Sequence, residues 1–392
     1  MSSIRSPLGT LSVISVGHTL NDLYSNFLPQ MLPFLIVLIP GFTATQAAVL
    51  VASFNIASSL FQPIFGFIVD GKGRSWLIYF GTLWMAVFLS PMGLFHSFRL
   101  MVVFAALAGL GTAAFHPPAS AIVHGLNPRR KAVYQSAFVA FGNLGFALAP
   151  LLLVPLFQAF GLHATVLLIL PGMLAATLLY FALPRQSRQT KEPSSLAVVW
   201  AALRKAAREL SVILGVISLR SVAYTGLLAL LPLYFHAHKV SNLSGSRMMT
   251  LMLFTGAIGG VTGGFISDRW GRKPLIVGSL ILATPLFFGF IATKGLPSLI
   301  FLALAGAALL SSFSVTIVAA QETIPNQKAM AAGLSLGFAN GLGALAVILV
   351  GKVGDIWGLG TAVTVLFSLP AAAGLVGLLL KSRPGSAAAT RG

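Results

Sequence analysis

Along the whole chain, apolar runs of about 20 residues alternate with short breaks rich in glycine, proline or charge, and each run is long enough to cross a hydrocarbon core of about 30 Å as a helix. A membrane β-barrel would instead alternate apolar and polar residues in segments of about ten. The pattern predicts spans near 11–37, 44–69, 76–95, 99–124, 133–158, 162–183, 210–236, 247–267, 274–293, 297–322, 329–350 and 360–380. The expectation is an all-α integral membrane protein of twelve transmembrane helices. The longest polar stretch, 185–209, separates an N-terminal six-helix half (1–184) from a C-terminal one (210–392). Within it, Leu196, Val199, Trp200 and Leu203 fall on one side and Arg204, Lys205 and Arg208 near the other, which predicts a separate amphipathic helix lying in the cytoplasmic interface. The first apolar run lacks a small-residue cleavage site and continues through Pro29 and Pro33, so it reads as a retained span.

Charge then orients the bundle. The net charge of +18 would suit a nucleic-acid partner, but the distribution of the charge argues otherwise. Of the 25 Lys and Arg residues, Arg99, Lys239, Arg247, Lys294 and Lys352 fall in one set of loops and Arg220 within a span, while the rest fall in the alternate loops and at the two ends. That asymmetry predicts both termini cytoplasmic, with membrane lipid as the partner of the basic surface and no nucleic acid. The chain has no cysteine, which removes disulfides and thiolate metal sites. No Ser/His/Asp constellation, phosphate loop or histidine pair at metal spacing is present on a span, and His236 and His238 fall in an outside turn, so no enzyme, cofactor or metal is expected.

Two loops repeat one another six spans apart. "GFIVDGKGRSW" after span two matches "GFISDRWGRKP" after span eight, and "GNLGFALAP" in span five loosely matches "NGLGALAVI" in span eleven. Internal duplication of this kind is the mark of many secondary transporters. The paired loops, with Gly66, Asp70, Gly73 and Arg74 in the first and Gly264, Asp268, Gly271 and Arg272 in the second, resemble the loop signature of the major facilitator superfamily. The resemblance implies that Asp70, Arg74, Asp268 and Arg272 latch the two halves rather than touch substrate. Ser75 stands where a second basic residue is common. Glu322, at the cytoplasmic end of span ten, reads either as part of a gate or as a solvated carboxylate.

Polar residues inside the spans are the candidate chemistry. His18, Asn21, Asp22 and Ser25 fall at i, i+3, i+4 and i+7, and so do Asn55, Ser58, Ser59 and Gln62, which gives spans one and two a polar face each. Two such faces can line one aqueous path. An ionisable group at that depth marks a pathway or a relay, so Asp22 is the expected proton carrier, the alternative being a polar cluster that joins helices. His18 can share its proton or hold it in place. His116, ahead of Pro117 and Pro118 in a span those prolines should bend, is the third member expected of the proton-coupling group. Arg220, with Tyr224 one turn on, occupies nearly the position in the second half that Asp22 has in the first. It pairs with Asp22, binds an anionic substrate, or alternates between them. Gln135 and Asn143 in span five, with Asn21, Asn55 and Gln62, are the expected polar lining of a substrate path.

Taken together, "GHTLNDLYSNFLPQMLPFL", "ASSLFQPIFGFIVD", "GTAAFHPPAS", "QSAFVAFGNLGFALAP" and "AAQETIPNQKAMAAGLSLGFANGLG" resemble, in that order, the fosmidomycin-resistance efflux family of the same superfamily. That resemblance implies proton-driven export of an antibiotic or other small organic compound, fosmidomycin being an anionic phosphonate; the expectation is a monomer in the bacterial cytoplasmic (inner) membrane that exports a small anionic or amphiphilic compound. It also implies weight for His18, Asn21, Asp22, His116, Gln321 and Glu322. In span five, Ala149 and Pro150 precede Leu151 and Leu152, where antiporters of the superfamily have Gly-Pro and a pair of small residues. The other reading is proton-coupled uptake or exchange of a small organic anion.

Overall fold

The computed structural model describes residues 6–72, 75–126, 131–183, 196–324, 331 and 334–381. Every regular element among them is helical. The helices are α1 (Pro7–Ser25), α2 (Phe27–Leu38), α3 (Ala44–Lys72), α4 (Trp76–Leu89), α5 (Phe98–Leu126), α6 (Lys131–Phe160), α7 (Ile169–Ala182), α8 (Leu196–Ala237), α9 (Asn242–Trp270), α10 (Arg272–Ala292), α11 (Leu296–Thr323), α12 (Asn340–Trp357) and α13 (Leu359–Gly377). Short 3₁₀ segments at Ser90–Leu94 and Leu162–Leu168 extend α4 and precede α7, and a π-helical turn at Leu334–Ala339 leads into α12. Among the described residues, 11 helices are long and apolar enough to cross a membrane.

The first span is the exception, because it is broken. α1 starts cleanly, with Pro7 in the first turn and the Ser6 hydroxyl accepting from the Gly9 amide at 3.0 Å. It stops at Ser25 because Pro29 has no N–H to give the Ser25 carbonyl and its ring crowds that carbonyl. Asn26 fills the break: its backbone N–H still reaches the Asp22 carbonyl and its Nδ2 donates to the Phe146 carbonyl of α6 at 2.8 Å.

Beyond this break, two boundaries differ most from the sequence expectation. Residues 196–209 form the first turns of the same helix as span seven, not a separate interfacial helix. The stretch "LAVVWAALRKAARE" is built from strong helix formers with no Gly or Pro, so nothing stops the hydrogen-bond ladder before the apolar span. At 42 residues, α8 is about 63 Å long, so its basic first turns extend well past an apolar layer of about 30 Å. Span eleven likewise runs on through Lys352 to Trp357, where Gly358, at φ +87°, turns the chain directly into α13.

The chain forms two compact units, Met1–Lys191 with Lys239–Thr250, and Glu192–His238 with Leu251–Gly392. Equivalent neighbours recur inside each. α4 packs on α5 as α10 packs on α11, α1 on α6 as α8 on α12, and α4 on α7 as α10 on α13. The repeat legible in the paired loops is thus a repeat of helix packing.

Candidate functional site

In the first unit, α1 presents His18 and Asp22 one turn apart, and α5 brings His116 to the other side of the same carboxylate. His18 Nε2 lies 3.3 Å from Asp22 Oδ2, and His116 Nε2 lies 3.5 Å from Asp22 Oδ1. On its far side His18 Nδ1 stands 2.7 Å from the Phe138 carbonyl oxygen of α6. A carbonyl only accepts, so Nδ1 carries the hydrogen and Nε2 faces the carboxylate. The approach of Nε2 to Asp22 therefore needs a cation between them, either a proton held by one partner or a metal ion.

The surroundings are apolar and close. The His18 ring stacks on Phe138 with 3.9 Å between centroids, Phe115 lies beyond at 5.9 Å, and the His116 ring meets it edge-on at 5.1 Å. The Asp22 side chain is only 12% exposed, whereas that of His116, at 25%, forms the open side of the group. Pro117 and Pro118 withhold hydrogen bonds from the carbonyls of Ala113 and Ala114, loosening α5 where His116 sits. On α6, Gly142 lies against the pair: a Cβ there would come within 2.5 Å of both Asp22 Oδ2 and His18 Nε2. One atom from each of His18, Asp22 and His116 lies within 4.8 Å of the others, so the three could hold one metal ion. The sequence expectation looked for metal spacing along single spans, whereas this grouping is made by two helices.

The polar line continues along α1. The Asn21 side chain is fully buried, and among the described residues neither Nδ2 nor Oδ1 has a partner. Ser25 Oγ donates to the Asn21 carbonyl at 3.0 Å and lies 3.3 Å from Thr112 Oγ1 of α5. Asn55 and Gln62, half-buried on α3, bond within their own helix, to the Val51 carbonyl and to Ser58 Oγ. Asn143 is half-buried beside Gly142. Gln135 and Asp70 are described in backbone only, and Arg74 lies outside the described residues.

The second unit holds a separate cation. Arg220 on α8 is 2% exposed, its guanidinium carbon lies 4.6 Å above the centre of the Phe313 ring of α11, and among the described residues its Nε has no hydrogen-bond partner. Tyr224 is half-buried one turn further along. Beside them, Ser218 and Ser221 donate to the carbonyls of Ala339 and Asn340, where the π turn joins α12.

At the end of α9, Arg272 Nη1 donates to Asp268 Oδ1 at 2.5 Å and to Ser267 Oγ at 2.7 Å, while its Nη2 donates to Glu322 Oε1 of α11 at 3.1 Å. Glu322 is therefore joined to the loop, not simply solvated, so one guanidinium ties the ends of three helices.

The residues that sequence reasoning missed are Phe115, Phe138, Gly142 and Phe313. Phe138 and Gly142 fall one turn apart in "FVAFGN", but 29 phenylalanines and 40 glycines supply no signal that singles them out.

Comparison with known proteins fits this duplicated helical frame. The family model described as Major Facilitator Superfamily matches residues 14–344. The chain belongs to this superfamily. It is 30% identical over 389 residues to "Uncharacterized MFS-type transporter YfnC" of Bacillus subtilis (strain 168), covering 95% of this chain and 92% of that one. It is 28% identical over 386 residues to "Fosmidomycin resistance protein" of Escherichia coli (strain K12), covering 96% and 92%. Its fold matches a bacterial homologue of the human lysosomal transporter Spinster in an inward-facing, unoccupied conformation (TM-score 0.74, 17% identity, 95% of each chain) and a mutant of the nucleoside transporter NupG (TM-score 0.77, 16% identity, 95% and 100%).

This major facilitator protein is thus a multi-pass membrane transporter and not an enzyme, and a small molecule is its substrate. The chemistry its residues offer is binding and proton exchange. A carboxylate flanked by two imidazoles can take up or release a proton within the bundle, and a buried guanidinium over an aromatic face can hold an anion.

Proposed function

We propose that the protein exports a small organic compound in exchange for protons, by alternating access, across the bacterial cytoplasmic membrane, with both termini cytoplasmic. The observation that carries the reading is Asp22, buried on α1 between His18 Nε2 and His116 Nε2. A carboxylate in hydrocarbon is costly unless a cation stays beside it. Two imidazoles that can each gain or lose a proton let the group change charge as the surrounding helices move. Asn21, buried beside Asp22 with both amide atoms unpartnered, supports a site that takes up water or a polar group during the cycle. Export as the direction rests on the relative named "Fosmidomycin resistance protein".

Arg220 is the substrate's contact in this scheme, holding an anionic group beside Phe313 and Tyr224. Asn55, Gln62, Gln135 and Asn143 serve as polar lining. Asp268, Arg272 and Glu322, with Asp70 and Arg74 at the equivalent loop, hold and release the cytoplasmic ends as the halves rock. A monomer suffices, and surrounding anionic lipid meets the basic loops.

The test is substrate-driven proton movement in proteoliposomes of purified protein, with a panel of phosphonates, carboxylates and lipophilic drugs. Protons moving opposite to substrate are expected, with the movement lost in Asp22→Asn. Buried Arg220 also suits uptake of an organic anion, and protons moving with substrate would establish that reading instead. Substrate movement without proton movement would overturn both.

A further inference from the structure

We propose that His18, Asp22 and His116 form a binding site for a divalent transition metal of the zinc class, and that a metal ion held there arrests the transporter. The donor set is two imidazole nitrogens and a carboxylate, which suits Zn²⁺, Co²⁺ or Ni²⁺ better than hard cations that require all-oxygen shells. Metal bonds of about 2.1 Å at tetrahedral angles place neighbouring donors about 3.4 Å apart. His18 Nε2 lies 3.3 Å from Asp22 Oδ2, which matches that spacing, whereas His116 Nε2 lies 3.5 Å from the other carboxylate oxygen, Oδ1, so His116 must turn toward Oδ2 or the carboxylate must bind through both oxygens.

The surrounding shell is arranged as a metal site requires. His18 donates its Nδ1 hydrogen to the Phe138 carbonyl, the contact that orients a ligating imidazole and leaves Nε2 as the donor. Phe115 and Phe138 close the apolar side against the His18 ring. Gly142 leaves the space beside Asp22 Oδ2 and His18 Nε2 that any side chain would fill. All three donor atoms already lie within 4.8 Å of one another. His116, the most exposed of the three and next to two prolines, is the member that can rotate to close the triangle, and its open side gives an ion access. Three protein ligands leave a fourth position for water.

A metal ion in this position takes the place of the proton between His18 Nε2 and Asp22, which is released to solvent. It also clamps α1 to α5. Arrest of transport rests on the proton-coupling reading above, whereas metal binding does not.

The test uses the full-length protein in detergent at neutral pH with Co²⁺ as the probe. Visible absorption of tetrahedral intensity at one Co²⁺ per chain, displaced by Zn²⁺, is expected. His18→Gln and His116→Gln, which keep a polar side chain, should each weaken binding by at least about tenfold. Changing His236→Gln, half-buried in the last turn of α8, and the exposed His238→Gln together should leave it unchanged. A weak, octahedral aquo-type spectrum in the wild type would overturn the proposal, and so would full-strength binding that survives His18→Gln and His116→Gln. Zn²⁺ is then added to proteoliposomes during substrate-driven proton flux. Flux without any Co²⁺ spectrum removes the metal site alone, a Co²⁺ spectrum without flux removes the export reading alone, and flux that continues with Zn²⁺ bound removes the arrest.

Discussion

Gly142 of α6 lies so close to Asp22 of α1 that a single methyl group in its place would stand 2.5 Å from the carboxylate oxygen Oδ2, and equally near His18 Nε2. One turn on, a Cβ at Gly145 would press instead on the α1 backbone, at the Thr19 carbonyl and the Leu23 amide. The same close approach of α6 and α1 is used once against side chains that carry charge and once against main chain.

This difference separates two substitutions. Gly142→Ala should fold, because the side chains of His18 and Asp22 can shift, but it should displace the pair and move the pH profile of proton flux. Gly145→Ala has rigid backbone in its way and should lower the melting temperature, with an overpacking cost of about 1–3 kcal/mol. Thermal melts and pH profiles of both proteins check this. An unchanged profile in Gly142→Ala would mean that α6 does not position the pair.

Asp22→Asn keeps the size of the side chain and removes the proton site. Substrate-driven proton flux should fall to the level of empty vesicles while substrate binding persists. Asp22→Glu should retain part of the flux, since the carboxylate remains and only its distance from His18 and His116 changes. Both are read with a pH-sensitive dye inside proteoliposomes.

Arg220 is a buried cation whose Nε lacks a partner among the described residues, an arrangement that costs stability. Arg220→Leu should therefore leave the melting temperature equal or higher while anionic substrates lose affinity. Arg220→Lys retains charge but not the planar group over Phe313, and should rank between them. A destabilised Arg220→Leu would instead make Arg220 a structural residue, and calorimetry with ligand titration separates the two.

Arg272 bridges Asp268 and Glu322 at the exposed ends of their helices, where ion pairs contribute roughly 0–1 kcal/mol. Glu322→Gln and Arg272→Ala should shift the melting temperature little but slow transport, with the double variant no slower than Arg272→Ala alone. Additive slowing would mean that Glu322 acts apart from Arg272.

Hydrophobic run length alone was enough to establish the helical membrane class, because a helix crossing lipid must satisfy its backbone internally and be about 20 apolar residues long. The duplication was legible in the paired "GFIVD" and "GFISD" loops. His18 and Asp22 were legible as neighbours because four residues make about one helical turn, whereas the first span was read as running on through Pro29, where the structure breaks it. What the tertiary structure decided was which distant residues complete each local pattern. His116 reaches Asp22, the Phe138 carbonyl selects the His18 tautomer, Phe313 lies beneath Arg220, and Glu322 joins Arg272. Each of these contacts depends on how one helix is rotated and set against another, and in an almost uniformly apolar chain a helix's own sequence says little about that. It also decided that residues 196–209 continue α8, because unbroken helix formers propagate a ladder that an amphipathic pattern alone had assigned to the membrane surface.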